Sequence, residues 1–328
     1  MTAAAGTPEA RPGAARRNAT VDAVRGGAFL LMVVYHAAWD ADFLGLLDLD
    51  LDAPGWRALR WLTLALFLGL VGISLDLAAA RGLDRGTVLK RLALVGGAAL
   101  LVSAASAIYF PEGVITFGVL HCIAVAGVLA LPFLRLPTMP VAATGLVVLA
   151  LGVFSDPAFA SPWLNWIGFA DPPPPARDYV PLVPWFGVVL LGLALGRQLA
   201  ARWRAPTTAH GAGRALAFAG RNSLALYLVH QPVIYGSLLG LAALLGHAPT
   251  HTADFVRAFR DSCRQSCLAG GAEAGLCATR CDCVLSAVRR DRELGTLRST
   301  ESTEAQRARL DALAQSCTES HVQEWDRP

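Results

Sequence analysis

The sequence predicts an all-α membrane protein, a polytopic bundle of about seven transmembrane helices with a small cysteine-rich helical appendage at the C-terminus. Apolar residues make up 54% of the 328 residues, charged residues make up 16%, and the mean hydropathy is +0.46. A soluble domain of this length is less apolar and more charged. The chain has no basic run with interleaved aromatic residues, which argues against a nucleic-acid partner.

Apolar windows place the transmembrane helices. The hydrocarbon core of a bilayer is about 30 Å thick, which an α-helix crosses in about 20 residues. Windows near this length follow one another through most of the chain. We predict a transmembrane helix in each of the seven: 26–46, 58–79, 91–110, 114–134, 139–156, 182–200 and 222–246.

The connections between these windows alternate in charge, which predicts the topology. The first connection is acidic, with Asp48, Asp50 and Asp52. The sixth is basic and, counted with Arg197 at the end of the window before it, carries five arginines: Arg197, Arg202, Arg204, Arg214 and Arg221. Because basic loops stay in the cytoplasm, the N-terminus and the second, fourth and sixth connections are predicted to lie there. Seven crossings then place the C-terminus outside.

Both ends of the chain differ in composition from its middle. Residues 1–20 are small and polar with several arginines, which is typical of a disordered cytoplasmic tail. Arg16 and Arg17 before an apolar run could also mark an export signal, but that run ends in an acidic loop rather than at a small-residue cleavage site. We therefore predict three regions: the tail 1–20, a membrane domain 21–246, and an extracytoplasmic cysteine-rich helical tail 247–328.

The cysteines are concentrated in that C-terminal tail. Six of the seven form the pattern Cys263-x3-Cys267-x9-Cys277-x3-Cys281-x-Cys283, followed by Cys317. Two cysteines four residues apart share one helix face, so twin pairs around a glycine-bearing turn predict a disulfide-stapled helical hairpin. A zinc site is the alternative. An outside tail favours disulfides, although their connectivity stays open. The seventh cysteine, Cys122, is interpreted as an ordinary small apolar residue.

The first apolar window carries an unusual set of ionisable residues. Arg25 and His36 are eleven residues apart, so on a helix they share a face about 16 Å apart along the axis. Asp40 follows one turn later and could orient the imidazole, or could be a solvated residue at the helix end. Ionisable groups within a bilayer are costly, which makes a functional site the first hypothesis. Arg25 could also be a simple membrane-edge anchor.

Two further windows supply polar residues. The fourth contains His121, and the seventh contains Asn222, Ser223, Tyr227 and His230, the last three of which fall on one helical stripe. If these faces converge with that of His36, they would line a polar cavity. His121 could instead be a hydrogen-bonding residue between packed helices. No helix carries two ligands at metal-binding spacing, so no metal is expected.

Three segments resemble a known family: VDAVRGGAFLLMVVYHAAWD, DYVPLVPWFGVVLLGLALG and GRNSLALYLVHQP. They are similar to bacterial membrane proteins related to the catalytic domain of heparan-α-glucosaminide N-acetyltransferase. The spacing of Arg25 and His36 also resembles that of the wider transmembrane acyltransferases that modify cell-surface sugars. The resemblance covers residues 21 to about 246 and leaves out the tail.

The resemblance implies acyl transfer across the inner membrane of a bacterium. Cytoplasmic acetyl-CoA would be the acyl donor, and the acceptor would be an amine or hydroxyl of an envelope glycan on the outer side. His36 would act as a base or carry the acetyl group, with Asp40 as its partner, and Arg25 would bind CoA phosphates. The substrate-binding residues would be His121, Asn222, Ser223, Tyr227 and His230.

Two other classes of function fit the same residues. A transporter or flippase of a small anionic or lipid-linked solute would use the same cavity without chemistry. No inverted repeat is evident among the windows, which mildly disfavours this class. In a membrane scaffold, the cysteine-rich tail would be the working part.

Overall fold

The structure is a computed structural model that divides into two compact units. The first unit is Met1–His36 with Asp52–Val233, and the second is Ala37–Leu51 with Ile234–Pro328. The residues it describes are 18–47, 49–51, 53–109, 113–174, 178–199, 210–245, 252–290, 304, 308–309 and 311–317. The predicted disordered tail, apart from residues 18–20, and much of the predicted helical tail 247–328 beyond residue 290 fall outside these ranges.

The fold is all-α, as predicted. Within the described ranges there is no β-strand, only a single bridge between Asp156 and Ala170. The α-helices in chain order are α1 (Ala19–Phe43), α2 (Pro54–Ala79), α3 (Arg85–Tyr109), α4 (Val119–Leu129), α5 (Thr138–Leu151), α6 (Leu182–Gln198), α7 (Ala212–Arg221), α8 (Ser223–Leu244), α9 (Thr252–Ala269) and α10 (Ala274–Arg290). Three 3₁₀ turns lie at Pro132–Arg135, Pro157–Ala160 and Asn165–Ile167.

Each predicted membrane window contains one apolar helix. Of the described helices, α1, α2, α3 and α8 are long and apolar enough to cross a membrane. Helices α4, α5 and α6 have 11, 14 and 17 residues, shorter than a typical span. The count of seven crossings therefore stays a prediction. Helix α7 is an addition, because the charge pattern had assigned this arginine-bearing stretch to a loop.

Local sequence signals start several of these helices. The side-chain oxygen of Asn18 accepts the backbone N–H groups of Thr20 and Val21 at 2.9 and 3.1 Å, which caps α1. Pro54 opens α2, where its missing N–H costs nothing. Asp84 caps α3 by accepting the Thr87 hydroxyl at 2.6 Å and its N–H at 2.9 Å, and these hydrogen bonds lower the pKa of Asp84.

Helix α6 is the buried helix of the first unit and packs between α2 and α5. Glycines allow the close approach on both sides. A Cβ atom at Gly192 would overlap the carbonyl oxygen of Gly69 on α2, and one at Gly187 would overlap that of Gly145 on α5. The surrounding core is apolar and includes Val189 and Leu193. Because the helix backbones touch at these glycines, the contacts fix the position of α6 between α2 and α5.

Arg197 near the end of α6 connects three parts of the first unit. Its guanidinium donates hydrogen bonds to the carbonyl oxygens of Leu136, Phe133 and Leu134, at 2.6, 2.9 and 3.1 Å. It also forms an ion pair with the buried Asp76 of α2 at 3.7 Å. The side chain thus closes open carbonyls of the turn that follows α4. The charge pattern had counted Arg197 only as a cytoplasmic loop charge.

Helix α7 packs against the start of α1. A Cβ at Gly26 of α1 would overlap the carbonyl oxygen of Leu216, and a Cβ at Gly220 of α7 would overlap that of Asp22. The two glycines lie on opposite partners, so each helix presents bare backbone to the other. This contact brings the basic helix α7 beside Arg25.

The second unit contains the predicted disulfide-stapled hairpin, formed by α9 and α10. Cys263 pairs with Cys281, and Cys267 pairs with Cys277, so both bonds are centred on Ala272 in the turn. A third bond joins Cys283 to Cys317. Arg260 on α9 adds an ion pair with Asp282 on α10 at 2.8 Å. The spacing had left the connectivity open. In the structure the bond Cys267–Cys277 is nested inside the bond Cys263–Cys281, within the hairpin.

Candidate active site

Two histidines that are far apart in the sequence lie next to each other in the first unit. The imidazole rings of His36 on α1 and His230 on α8 have centroids 5.2 Å apart and planes inclined at 65°. Phe29, two turns before His36 on α1, packs edge-on against His230 at 6.0 Å. The structure thus brings together two of the three histidines that the sequence predicted to converge.

The hydrogen bond of His230 fixes its tautomer. Its Nδ1 lies 2.6 Å from the backbone carbonyl oxygen of Tyr227, and because a carbonyl only accepts, Nδ1 carries the proton. In a neutral ring the other nitrogen, Nε2, then has a free lone pair. His230 is only 9% exposed, and its Nε2 has no hydrogen-bond partner among the described residues. A basic nitrogen is therefore held in a buried place beside His36.

Two further aromatic side chains, Tyr35 and Trp56, lie near His36. Tyr35 lies edge-on to the imidazole with centroids 6.0 Å apart, and Trp56 at the start of α2 lies edge-on to Tyr35 at 6.4 Å. His36 itself is partly buried. The two imidazoles thus lie among rings contributed by α1, α2 and α8.

Tyr227 links this pair to a carboxylate that the sequence did not single out. The Tyr227 ring lies 5.4 Å from the His230 ring, and its hydroxyl is close enough to the Asp178 carboxyl group to interact with it. Asp178 precedes α6 and also accepts the backbone N–H of Val119, the first residue of α4, at 3.3 Å. Although part of Asp178 reaches solvent, its carboxyl group is enclosed by protein, and this burial raises the pKa of Asp178.

His121 lies in a separate hydrogen-bonded arrangement. Its Nδ1 accepts the backbone N–H of Gly118 at 3.2 Å, so Nε2 carries the proton and donates to the Ser103 hydroxyl at 3.3 Å. That hydroxyl in turn donates to the carbonyl oxygen of Ile115 at 2.5 Å. Both ring nitrogens of His121 are thus used to join α3 to the start of α4, as in the alternative of a hydrogen-bonding residue between helices.

Asn222 and Ser223 lie where α7 ends and α8 begins, and Asp40 lies on α1. The Asn222 amide donates to the carbonyl oxygen of Phe218 at 2.9 Å and so closes the end of α7, while Ser223 begins α8. Asp40 is fully buried in the α1 portion that belongs to the second unit, which makes the interpretation as a solvated residue wrong. Its catalytic role stays a prediction.

Arg25 is held near the beginning of α1. Its guanidinium donates to the Asp22 carboxylate at 3.0 Å and to the Ser74 hydroxyl of α2 at 2.7 Å. Arg91 of α3 is close enough to Arg25 for the two positive charges to repel each other. Two cations thus lie at this end of the helices, about 16 Å along α1 from His36.

A family comparison places these residues in a functional context. The model of a family described as heparan-alpha-glucosaminide N-acetyltransferase, catalytic, matches residues 17–232. The chain belongs to this family. No curated protein and no solved structure matches the chain. The resemblance of the three sequence segments is confirmed, and membership of this N-acetyltransferase family identifies the chain as a membrane acyltransferase.

The acetyltransferase match includes the whole site and excludes the tail. It begins just before α1 and ends two residues after His230, so it contains His36, Asp178 and Tyr227 as well. The hairpin of α9 and α10 lies beyond it. No group of three His, Cys, Asp or Glu that would hold a metal ion occurs in the described ranges, and a metal-free reaction stays a prediction.

Proposed function

We propose that the protein transfers an acetyl group from cytoplasmic acetyl-CoA to an amine or hydroxyl of an envelope glycan on the outer side of a bacterial inner membrane. Family membership supports the acetyl transfer. The donor, the acceptor and the two sides are the proposal. The observation that carries it is the buried lone pair on Nε2 of His230, held 5.2 Å, ring to ring, from His36.

The chemistry follows from what these imidazoles can do. One accepts the proton of the acceptor N–H or O–H as that atom attacks the thioester carbonyl, and the C–S bond then breaks. The proton passes to the departing CoA sulfur, so the imidazole returns to its starting state. Alternatively, an imidazole nitrogen attacks the thioester carbonyl first, the C–S bond breaks and CoA leaves as a thiolate. The acceptor then displaces the acetyl group from the imidazole, and its proton passes to the thiolate. We assign to His36 the imidazole that contacts the acetyl group, and to His230 the role of the base beside it.

Arg25 and Arg91 suit the donor end of the site. Two guanidinium groups that repel each other are stabilised when an anion lies between or beside them, and CoA carries phosphates. Asp22 and Ser74 fix the orientation of Arg25. Because basic connections are predicted to face the cytoplasm, this end of α1 is where the donor would enter.

The disulfides of the tail support this scheme. Three disulfides are typical of an oxidising compartment, which for the predicted topology is the periplasm. With the C-terminus outside and the N-terminus inside, His36 would lie between the donor side and the acceptor side. The periplasmic hairpin would then stand on the side of the glycan.

Proteoliposomes with labelled acetyl-CoA and a glucosamine-containing envelope glycan test the proposal. We expect label to enter the glycan, and His36→Ala and His230→Ala each to reduce the rate about 100-fold or more. His210→Ala, which changes an exposed histidine before α7, serves as the matched control. Unchanged transfer in both site variants would refute the proposal. Movement of the glycan without acetylation would favour a transporter or flippase.

A further inference from the structure

Asp178 is connected to His230 by a single intervening residue. The Tyr227 hydroxyl lies close enough to the Asp178 carboxyl group to interact with it, and the Tyr227 backbone carbonyl accepts the Nδ1–H of His230. The same Tyr227 ring packs against the imidazole at 5.4 Å. Tyr227 therefore contacts the Asp178 carboxyl group through its hydroxyl, and it contacts His230 through its ring and its backbone carbonyl.

The structure makes room for Asp178 at the start of α4. Its Oδ2 accepts the N–H of Val119, one of the backbone donors that a helix leaves open at its N-terminus. A Cβ atom at Gly118 would lie only 2.7 Å from that oxygen, so glycine is required there for the carboxyl group to approach. Asp178 is thereby anchored to a rigid element rather than to a loop.

The groups that face Asp178 come from three helices. Arg60 of α2 attracts the charge of Asp178, the Tyr227 hydroxyl of α8 interacts with its carboxyl group, and Cys122 of α4 lies close enough to be affected by the carboxylate. Burial is the largest influence and raises the pKa of Asp178. Burying a carboxyl group costs free energy, so the burial of Asp178 among side chains of α2, α4 and α8 points to a functional role.

We propose that Asp178 is a positioning residue for acyl transfer, which anchors Tyr227 to the start of α4 and thereby holds the His230 imidazole against His36. This inference rests on the proposed function. Without the anchor, the Tyr227 ring is free to turn and the packing on His230 is lost. The effect falls on the rate of the chemical step rather than on binding of acetyl-CoA, since the contacts of Asp178 described above include neither Arg25 nor Arg91.

The test measures kcat and KM for acetyl-CoA per folded molecule in the full-length protein. We expect Asp178→Ala and Tyr227→Phe each to lower kcat about 10- to 100-fold with an unchanged KM, because each removes one partner of the Tyr227–Asp178 contact. Asp178→Asn retains an acceptor oxygen for Tyr227 and Val119, and should recover most of the lost rate. Asp171→Ala, an exposed carboxylate in the same connection, is the matched control.

The double variant Asp178→Ala/Tyr227→Phe separates positioning from general loss of structure. If the two residues act through one contact, its kcat should resemble that of either single variant rather than the product of their losses. Additive losses, an Asn variant as slow as the Ala variant, or a change confined to KM would overturn the inference. A wild-type protein without any transfer would instead refute the proposed function, so the two failures are distinguishable.

Discussion

Arg197 and Asp76 form an ion pair between α6 and α2 while the same guanidinium binds three backbone carbonyls after α4. Both side chains are largely buried, so neither can turn to water when the other is removed. The contact therefore acts as one unit, in which a single side chain satisfies a carboxylate and the open carbonyls of a turn.

We expect Arg197→Ala to destabilise the protein strongly, by about 3–5 kcal/mol, because it leaves a buried carboxylate without this partner. Arg197→Lys should give an intermediate loss, since an ammonium group lacks the planar fork that reaches several acceptors. Thermal unfolding of the purified protein in detergent measures both. Arg135→Ala, an exposed arginine of the same turn, is the control, and equal stability of the Arg135 and Arg197 variants would contradict the assignment.

Glycine at position 192 should be needed for the approach of α6 to α2. Gly192→Ala places a methyl group against the Gly69 carbonyl, and we expect overpacking to cost about 1–3 kcal/mol in unfolding free energy. Gly127→Ala on α4 is the matched control, because a Cβ atom there meets nothing within 4 Å. That variant should be neutral or more stable by up to about 1 kcal/mol, through helix propensity alone. Equal behaviour of the two variants would argue against the close contact.

The cysteines of the tail should be oxidised in intact cells. We expect thiol alkylation without reductant to leave all six tail cysteines unlabelled, and peptide mapping to recover the pairs Cys263–Cys281, Cys267–Cys277 and Cys283–Cys317. The buried Cys122 should react only after denaturation. Freely reactive tail thiols in intact cells would contradict both the disulfides and the outside location of the C-terminus.

The buried carboxyl group of Asp178 predicts a pH dependence of stability. Its folded pKa lies above the unfolded value of about 4, so the proton is bound more tightly in the folded state. The stabilisation from this group is fully present below the unfolded pKa and is lost as the pH rises through the folded pKa. Asp178→Asn has no such titration. The stability of the wild-type protein relative to this variant should therefore fall as the pH is raised from about 4, as measured by denaturation at a series of pH values.

The sequence predicted well what depends on composition and on short spacing. Apolar length located an apolar helix in every predicted window, because the hydrophobic requirement of a bilayer acts residue by residue. The Cys-x3-Cys spacing predicted the hairpin, since residues four apart share a helix face. The polar residues His36, Tyr227 and His230 stood out because such side chains are rare in apolar helices.

What the sequence did not predict depends on partners that are distant along the chain. Asp178 stands before an apolar helix like any loop carboxylate, and only the fold brings it to Tyr227 and Val119. The charge pattern counted Arg197 only as a cytoplasmic loop charge. Its ion pair with Asp76 and its hydrogen bonds to the carbonyls after α4 are evident only in the fold. For His121 the sequence left open a substrate-binding role and a hydrogen-bonding role between helices. Its two ring nitrogens are bonded to Gly118 and Ser103, and the sequence alone does not show which partners a histidine will have.

The three disulfides of the tail also differ in the length of chain that each one closes. The bonds Cys267–Cys277 and Cys263–Cys281 join residues 10 and 18 apart in sequence and close around one turn. Cys283 and Cys317 are 34 residues apart. The two bonds of the hairpin therefore need no residue beyond Cys281, whereas the third bond ties a later part of the chain to the hairpin.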